Sequence, residues 1–133
     1  MRPGRAGILV AVCALALMLG APTTDGKKRK TRGWSSKVTL THPAPTLFTG
    51  RVSSRLAACR AARLVNLYYT DPGTGETSLL SVQRTNKKGS YRVDLVSPAY
   101  AGSYQAIVIG ERIKALQRPQ KCRGAKGGRL TVE

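Results

Sequence analysis

Acidic residues are scarce in this chain: six Asp and Glu stand against 23 Lys and Arg, and there is a single histidine. Paired carboxylates for general acid–base work have to be drawn from Asp71, Glu76, Asp94 and Glu111, which fall in turns and at outward strand positions of the pattern described below. Calcium needs clustered Asp, Asn and Glu oxygens, and acids this dispersed do not supply them. A serine nucleophile needs a base that only His42 could readily provide, and no Gly-x-Ser-x-Gly occurs. His42 precedes Pro43 and reads as an exposed strand-end residue. Neither GTGET at Gly73 to Thr77 nor GAKGG at Gly124 to Gly128 completes a phosphate loop with a following helix. The chain therefore reads as non-enzymatic, with no cofactor and no metal-ligand set.

Aromatic residues are few as well, with one Phe, one Trp and five Tyr, so a core has to rely on Val, Leu and Tyr. Stacking of sugars or bases wants exposed aromatics amid basic residues. Trp34 beside Arg32 and Lys37, and Tyr100 in its loop, are the candidates, and for each, packing against the domain is the preferred reading.

Cysteine is limited to three residues. Cys13 lies inside the one long apolar run, which leaves Cys59 and Cys122. In an oxidising compartment an isolated pair is most simply one disulfide. A bridge closing a loop of about 60 residues is worth roughly 4 kcal/mol by the chain-entropy model.

The apolar run itself, Ile8 to Leu19, is shorter than the roughly 18 to 20 residues that span hydrocarbon. Arg2 and Arg5 precede it and Gly20 and Ala21 follow it, the layout of a secretory signal peptide over residues 1–21, with cleavage between 21 and 26. Residues 22–36, including TTDGKKRKTRGWSS, carry charge, Gly and Ser without apolar period and read as a basic flexible linker. A retained anchor would set Lys27 to Lys30 outside the membrane, against the positive-inside preference, which favours export and cleavage. The exported chain keeps a charge of about +15, a balance suited to anionic partners of many kinds.

From residue 37 to 133 the pattern changes to period two, broken by Gly, Pro, Asn and Asp about every ten residues, the mark of a β-sandwich. Expected strands are Lys37 to His42, Leu47 to Ser53, Arg63 to Thr70, Thr77 to Arg84, Ser90 to Val96, Ser103 to Ile109 and Arg129 to Val132. Alternation sets Tyr91, Val93 and Leu95 on one side of their strand, and likewise Tyr104, Ala106 and Val108, and Val65, Leu67 and Tyr69. Phe48 and Val52, with Leu130 and Val132, complete the expected core. DPGTG at Asp71, NKKG at Asn86 and SPAYAG at Ser97 read as turns. LAACRAARL at Leu56 to Leu64 is rich in helix formers and too short to stand alone.

The stretches FTGRV, RLVNLYY, SVQRTNKKGSYRVDL and AGSYQAIV, between Phe48 and Val108, resemble the carboxypeptidase regulatory-like domains, which have a transthyretin-like (prealbumin-like) sandwich. The family pattern is a Gly-x-Val strand, a Val-x-Leu strand, a Thr-Asp/Asn-x-x-Gly-x-Tyr hairpin and a late Gly-x-Tyr strand. Gly50 and Val52, Val65 and Leu67, Thr85, Asn86, Gly89 and Tyr91, and Gly102 and Tyr104 occupy those places. The chain is also similar to secreted, Lys/Arg-rich bacterial single-domain proteins with one cysteine before the Val-x-Leu strand and one before the last strand, an arrangement Cys59 and Cys122 suit. Gly110 to Gln120 is longer and more polar than the pattern requires. A purine-breakdown hydrolase of the same superfold uses several histidines and a C-terminal Tyr-Arg-Gly-Ser, whereas this chain ends RLTVE.

The expected architecture is all-β, an Ig-like or prealbumin-like Greek-key sandwich of about seven strands with one disulfide. The expected role is adhesion or scaffolding at the cell envelope, with anionic envelope polymers or another extracellular protein as partner. The alternatives are a binder of polyanions (cell-wall polymer, polysaccharide or nucleic acid) whose contacts are Lys27, Lys28, Arg29, Lys30, Arg112, Lys114, Arg118, Lys121, Arg123 and Lys126, and an enzyme of unrecognised type.

Overall fold

The computed structural model of the chain describes residues 33–114 and 118–133. The expected leader, most of the expected linker and the Lys27–Lys30 cluster lie outside the described residues.

Where apolar and polar side chains alternate, the chain is extended. The strands are β1 (Gly33–Trp34), β2 (Lys37–Ala44), β3 (Leu47–Ser53), β4 (Leu64–Thr70), β5 (Thr77–Arg84), β6 (Ser90–Asp94), β7 (Gly102–Val108), β8 (Glu111–Ile113), β9 (Gln120–Cys122), β10 (Ala125–Lys126) and β11 (Leu130–Val132). All seven expected strands are present, two of them with the expected bounds, Leu47–Ser53 and Thr77–Arg84. The alanine-rich segment forms one 3-10 turn at Ala57–Cys59, and no α-helix occurs among the described residues. Four further strands of two or three residues raise the count to eleven, and such short elements leave no period to read.

Two of these additions correct the expected boundaries. Gly33 and Trp34, expected as the end of the linker, pair in parallel with Lys121 and Cys122 of β9. The polar stretch after Gly110 holds β8, which pairs antiparallel with β9.

The sandwich consists of a three-stranded sheet ordered β2-β3-β6 and a five-stranded sheet ordered β10-β7-β4-β5, with β11 also on β7. The chain passes from one sheet to the other between β3 and β4, between β5 and β6 and again between β6 and β7, so the hairpins β2–β3 and β4–β5 are joined in Greek-key fashion. Between the layers lie Val38, Phe48, Val52, Tyr91 and Val93 from one sheet and Val65, Leu67, Tyr104, Ala106 and Val108 from the other, all buried. The Phe48 and Tyr104 rings meet at 4.6 Å. A third, small sheet, ordered β1-β9-β8, sits at the end where the disulfide lies.

Gly50 shows how tightly the layers close. It pairs with Tyr91 across β3 and β6, and the Tyr91 ring lies over it so that the hydroxyl donates to the Thr39 carbonyl. A Cβ on Gly50 would overlap both that carbonyl oxygen and the hydroxyl. Burial raises the Tyr91 pKa above its ordinary value, so the phenol stays a donor. Gly50→Ala is expected to cost about 1–3 kcal/mol in urea unfolding, the range for overpacking. A loss under about 0.5 kcal/mol, typical of an uncrowded surface position, would contradict the close approach.

A candidate anion-binding face and the buried arginine beneath it

The small sheet turns its residues in two directions. Cys122 of β9 points inward and is fully buried, so its neighbour Lys121 points to solvent. Opposite Lys121 on β8 stands Arg112, also exposed. Arg123, two residues beyond Lys121, keeps to the same side. Its guanidinium lies over Gly33, where a Cβ would come within 2.7 Å of Nε, so the bare glycine of β1 makes the room it occupies. Arg112, Lys121 and Arg123 thus form one cationic array.

Among the described residues no carboxylate forms an ion pair with this array. Among the described residues the ion pairs are Arg63–Glu111 and Arg92–Asp94. Arg92 illustrates a neutralised cation: its Nε and Nη2 both donate to the Asp94 carboxylate, at 2.9 and 2.8 Å. Those hydrogen bonds hold the Asp94 carboxyl below its usual pKa. Glu111, the acid nearest the array in sequence, turns inward and places Oε2 3.9 Å from Arg63 Nε.

Arg63 is the support under the sheet. It is fully buried, though a cation, and a cation in that position needs hydrogen-bond partners. Nη1 donates to the Cys59 carbonyl at 2.7 Å and to Ser36 Oγ at 3.1 Å. Nη2 donates to the carbonyls of Ile109 at 2.7 Å and Arg123 at 3.1 Å. The planar fork thereby joins the segment after β1, the 3-10 turn, the exit of β7 and the exit of β9. Desolvation lowers the Arg63 pKa from the ordinary arginine value, and Glu111 offsets part of that. Backbone contacts fix the residue itself: its N–H donates to Thr85 Oγ1 at 2.9 Å, and that hydroxyl donates to the Arg60 carbonyl at 2.6 Å.

Cys59 and Cys122 form the disulfide, with Cα atoms 5.4 Å apart. It adjoins the Arg63 fork at Cys59, so a covalent bond and four hydrogen bonds anchor the small sheet together.

Of the contacts read from sequence, the structure brings Arg112, Lys121 and Arg123 together. Lys114 and Arg118 are exposed at the two ends of the β8–β9 connection. Lys126 does not join them: in β10 it pairs opposite Ile107 on the five-stranded sheet. Trp34 is half-buried, shares its face with Cys122 and donates from Nε1 to Gln120 Oε1 at 2.7 Å, a contact within the small sheet. Tyr100, expected to pack, is instead 71% exposed. His42 is no exposed strand end; it is half-buried, stacked on Phe48 at 4.4 Å, with Nδ1 3.1 Å from the Leu47 carbonyl. Sequence reasoning passed over Arg63 and Gly33, because neither burial of a cation nor the seat of a side chain from a distant strand leaves a local signal. Comparison of the chain with protein-family models gave no match, and comparison with curated protein sequences gave none.

Proposed function

We propose that the protein is a secreted, non-enzymatic β-sandwich module of the carboxypeptidase regulatory-like, transthyretin-like kind, which serves adhesion or scaffolding at the cell envelope by binding anionic polymers. The observation that carries this reading is the unopposed array of Arg112, Lys121 and Arg123 on the outer face of the small sheet. Like charges directly opposite across a ladder are destabilising, and an array that keeps them there without a carboxylate is built for an external anion. Neighbouring strands stand about 4.8 Å apart, a spacing suited to successive charges on a polymer.

Export is supported by the leader-like N-terminus and by the disulfide, a bond typical of oxidising compartments. No helix of the described residues is long and apolar enough to cross a membrane. A non-catalytic role is supported by the interior, where side chains of both sheets meet, and by the engagement of His42 in packing.

Binding to a sulfated polysaccharide, a polyphosphate and a nucleic acid at graded salt tests the proposal. Affinity should fall linearly with the logarithm of salt concentration, and Lys121→Ala should reduce that slope by about 1. Arg92→Ala, which removes a cation already held by Asp94, should leave the slope nearly unchanged. Lack of retention on every polyanion at low salt, or equal effects of the two substitutions, would dismiss the assignment.

A further inference from the structure

Two tripeptides of like composition stand apart in the sequence, Ser35-Ser36-Lys37 and Ser53-Ser54-Arg55. The first leads into β2 and the second leaves β3. The antiparallel hairpin brings them to the same end of the three-stranded sheet, where Lys37 pairs with Ser53. Val38 and its partner Val52 point into the core, so Lys37 and Ser53, one position away, point outward. Ser54 Oγ donates to the Ser35 carbonyl at 2.9 Å and ties the two ends together. Both tripeptides line one cavity of about 330 Å³.

The polar groups of this cavity have spare capacity. Among the described residues the side chains of Lys37 and Arg55 make neither an ion pair nor a hydrogen bond, and the hydroxyls of Ser35 and Ser53 have no partner. Ser36 Oγ accepts from Nη1 of the buried Arg63 at 3.1 Å, which leaves its own proton to donate. The buried arginine therefore backs the cavity through one hydroxyl. No acid lines it. The cavity beside the NKKG turn shows the contrast, because its groups are already engaged. There Arg84 donates to the Ala62 carbonyl, Arg92 to Asp94, and Asn86 Oδ1 accepts from the amides of Lys88 and Ser90.

We propose that the cavity between the twin tripeptides binds a phosphate group, carried as a monoester on a larger molecule. The lining sets the ligand class. It holds only Ser, Lys and Arg, so it offers no apolar wall for an alkyl chain and no aromatic face for a ring. Its volume is at the small end of the roughly 300–1,000 Å³ of ligand clefts. An ammonium, a guanidinium and the hydroxyls of Ser35, Ser36 and Ser53 together suit a phosphate of about −1.5 to −2 charge with three acceptor oxygens, more than the two oxygens of a carboxylate can use. Ser35, Lys37, Ser53 and Arg55 are exposed, so the cavity opens to solvent and the esterified oxygen has room to point outward. The site shares no residue with the Arg112, Lys121 and Arg123 array and does not rest on the polymer reading.

Titration of the full chain with methyl phosphate, inorganic phosphate and acetate at constant ionic strength, followed by amide NMR shifts, tests the site. Both phosphates should saturate with a Kd at or below about 1 mM, and acetate should bind more weakly. The shifts should centre on Ser35 to Lys37 and Ser53 to Arg55. Lys37→Ala and Arg55→Ala should each weaken methyl phosphate at least about fivefold, and Ser53→Ala, which changes no charge, at least about twofold. Arg129→Ala removes an exposed cation outside the cavity and should leave the affinity unchanged. Unchanged circular dichroism in each variant confirms the fold. Absence of saturable binding up to about 10 mM, or equal losses in Arg55→Ala and Arg129→Ala, overturns the proposal. Binding of inorganic phosphate without methyl phosphate overturns the monoester.

Discussion

Arg63→Met is expected to lower the stability of the fold by about 3–5 kcal/mol, because several buried acceptors lose a charged donor at once and each such loss costs about 1–3 kcal/mol. Methionine matches the length of the arginine stem, so little packing is lost. What is lost is the donor set: the carbonyls of Cys59, Ile109 and Arg123 and the hydroxyl of Ser36 are left without it at once. Each acceptor deprived of its partner in a buried place costs about 1–3 kcal/mol unless water reaches it. Arg63→Lys should recover only part of the loss, because an ammonium has three donors on one nitrogen and cannot span the fork. Glu111→Gln is the informative control. Its contact with Nε is 3.9 Å and the carboxylate side chain is 48% exposed, so the change should stay below about 1 kcal/mol, as for surface pairs. Urea unfolding of the three variants would decide the matter. Equal losses in Arg63→Met and Glu111→Gln would mean that the salt bridge, not the carbonyl fork, gives Arg63 its weight.

The same residue marks the boundary between what sequence reveals and what it hides. Period two exposes a strand when five or more residues share it, and Leu47–Ser53 and Thr77–Arg84 were legible to the residue. The core rows of Tyr91 with Val93 and of Tyr104 with Ala106 followed from the same alternation. β1, β8, β9 and β10 were not legible, because two or three residues carry no period and their pairing is decided by partners far away, as between Gly33 and Lys121. Charge composition marked Arg112, Lys121 and Arg123 as candidate anion contacts together with Lys126, but only the register of β8 with β9 separates them from Lys126. Arg63 stood at the expected start of a strand like any surface arginine. Its four acceptors come from four segments, and one of them is 60 residues distant.

Cys59→Ser with Cys122→Ser is expected to cost about 4 kcal/mol, as a chain-entropy estimate for a loop of this length, and to act unevenly over the molecule. The bridge spans 63 residues and both sulfurs are wholly buried. β1, β8 and β9 make their strand contacts chiefly with one another, so the disulfide and the Arg63 fork are the principal ties between the small sheet and the sandwich. Loss of the bridge leaves the Phe48, Leu67 and Tyr104 core intact while loosening β9. Hydrogen exchange should therefore rise first at Lys121, Cys122 and Arg123, ahead of β4 and β7. Polyanion affinity should drop with it, although no cation has been removed, because the Arg112 and Lys121 pairing depends on β9 staying in place. Combining the cysteine pair with Arg63→Met tests whether the two ties are one anchor. Two independent supports would add their losses; supports of the same sheet should fall short of the sum, since a sheet released by the first loss has little left to forfeit to the second. Uniform exchange across all strands, or strict additivity, would place the disulfide's contribution in the whole chain and not at this end of the sandwich.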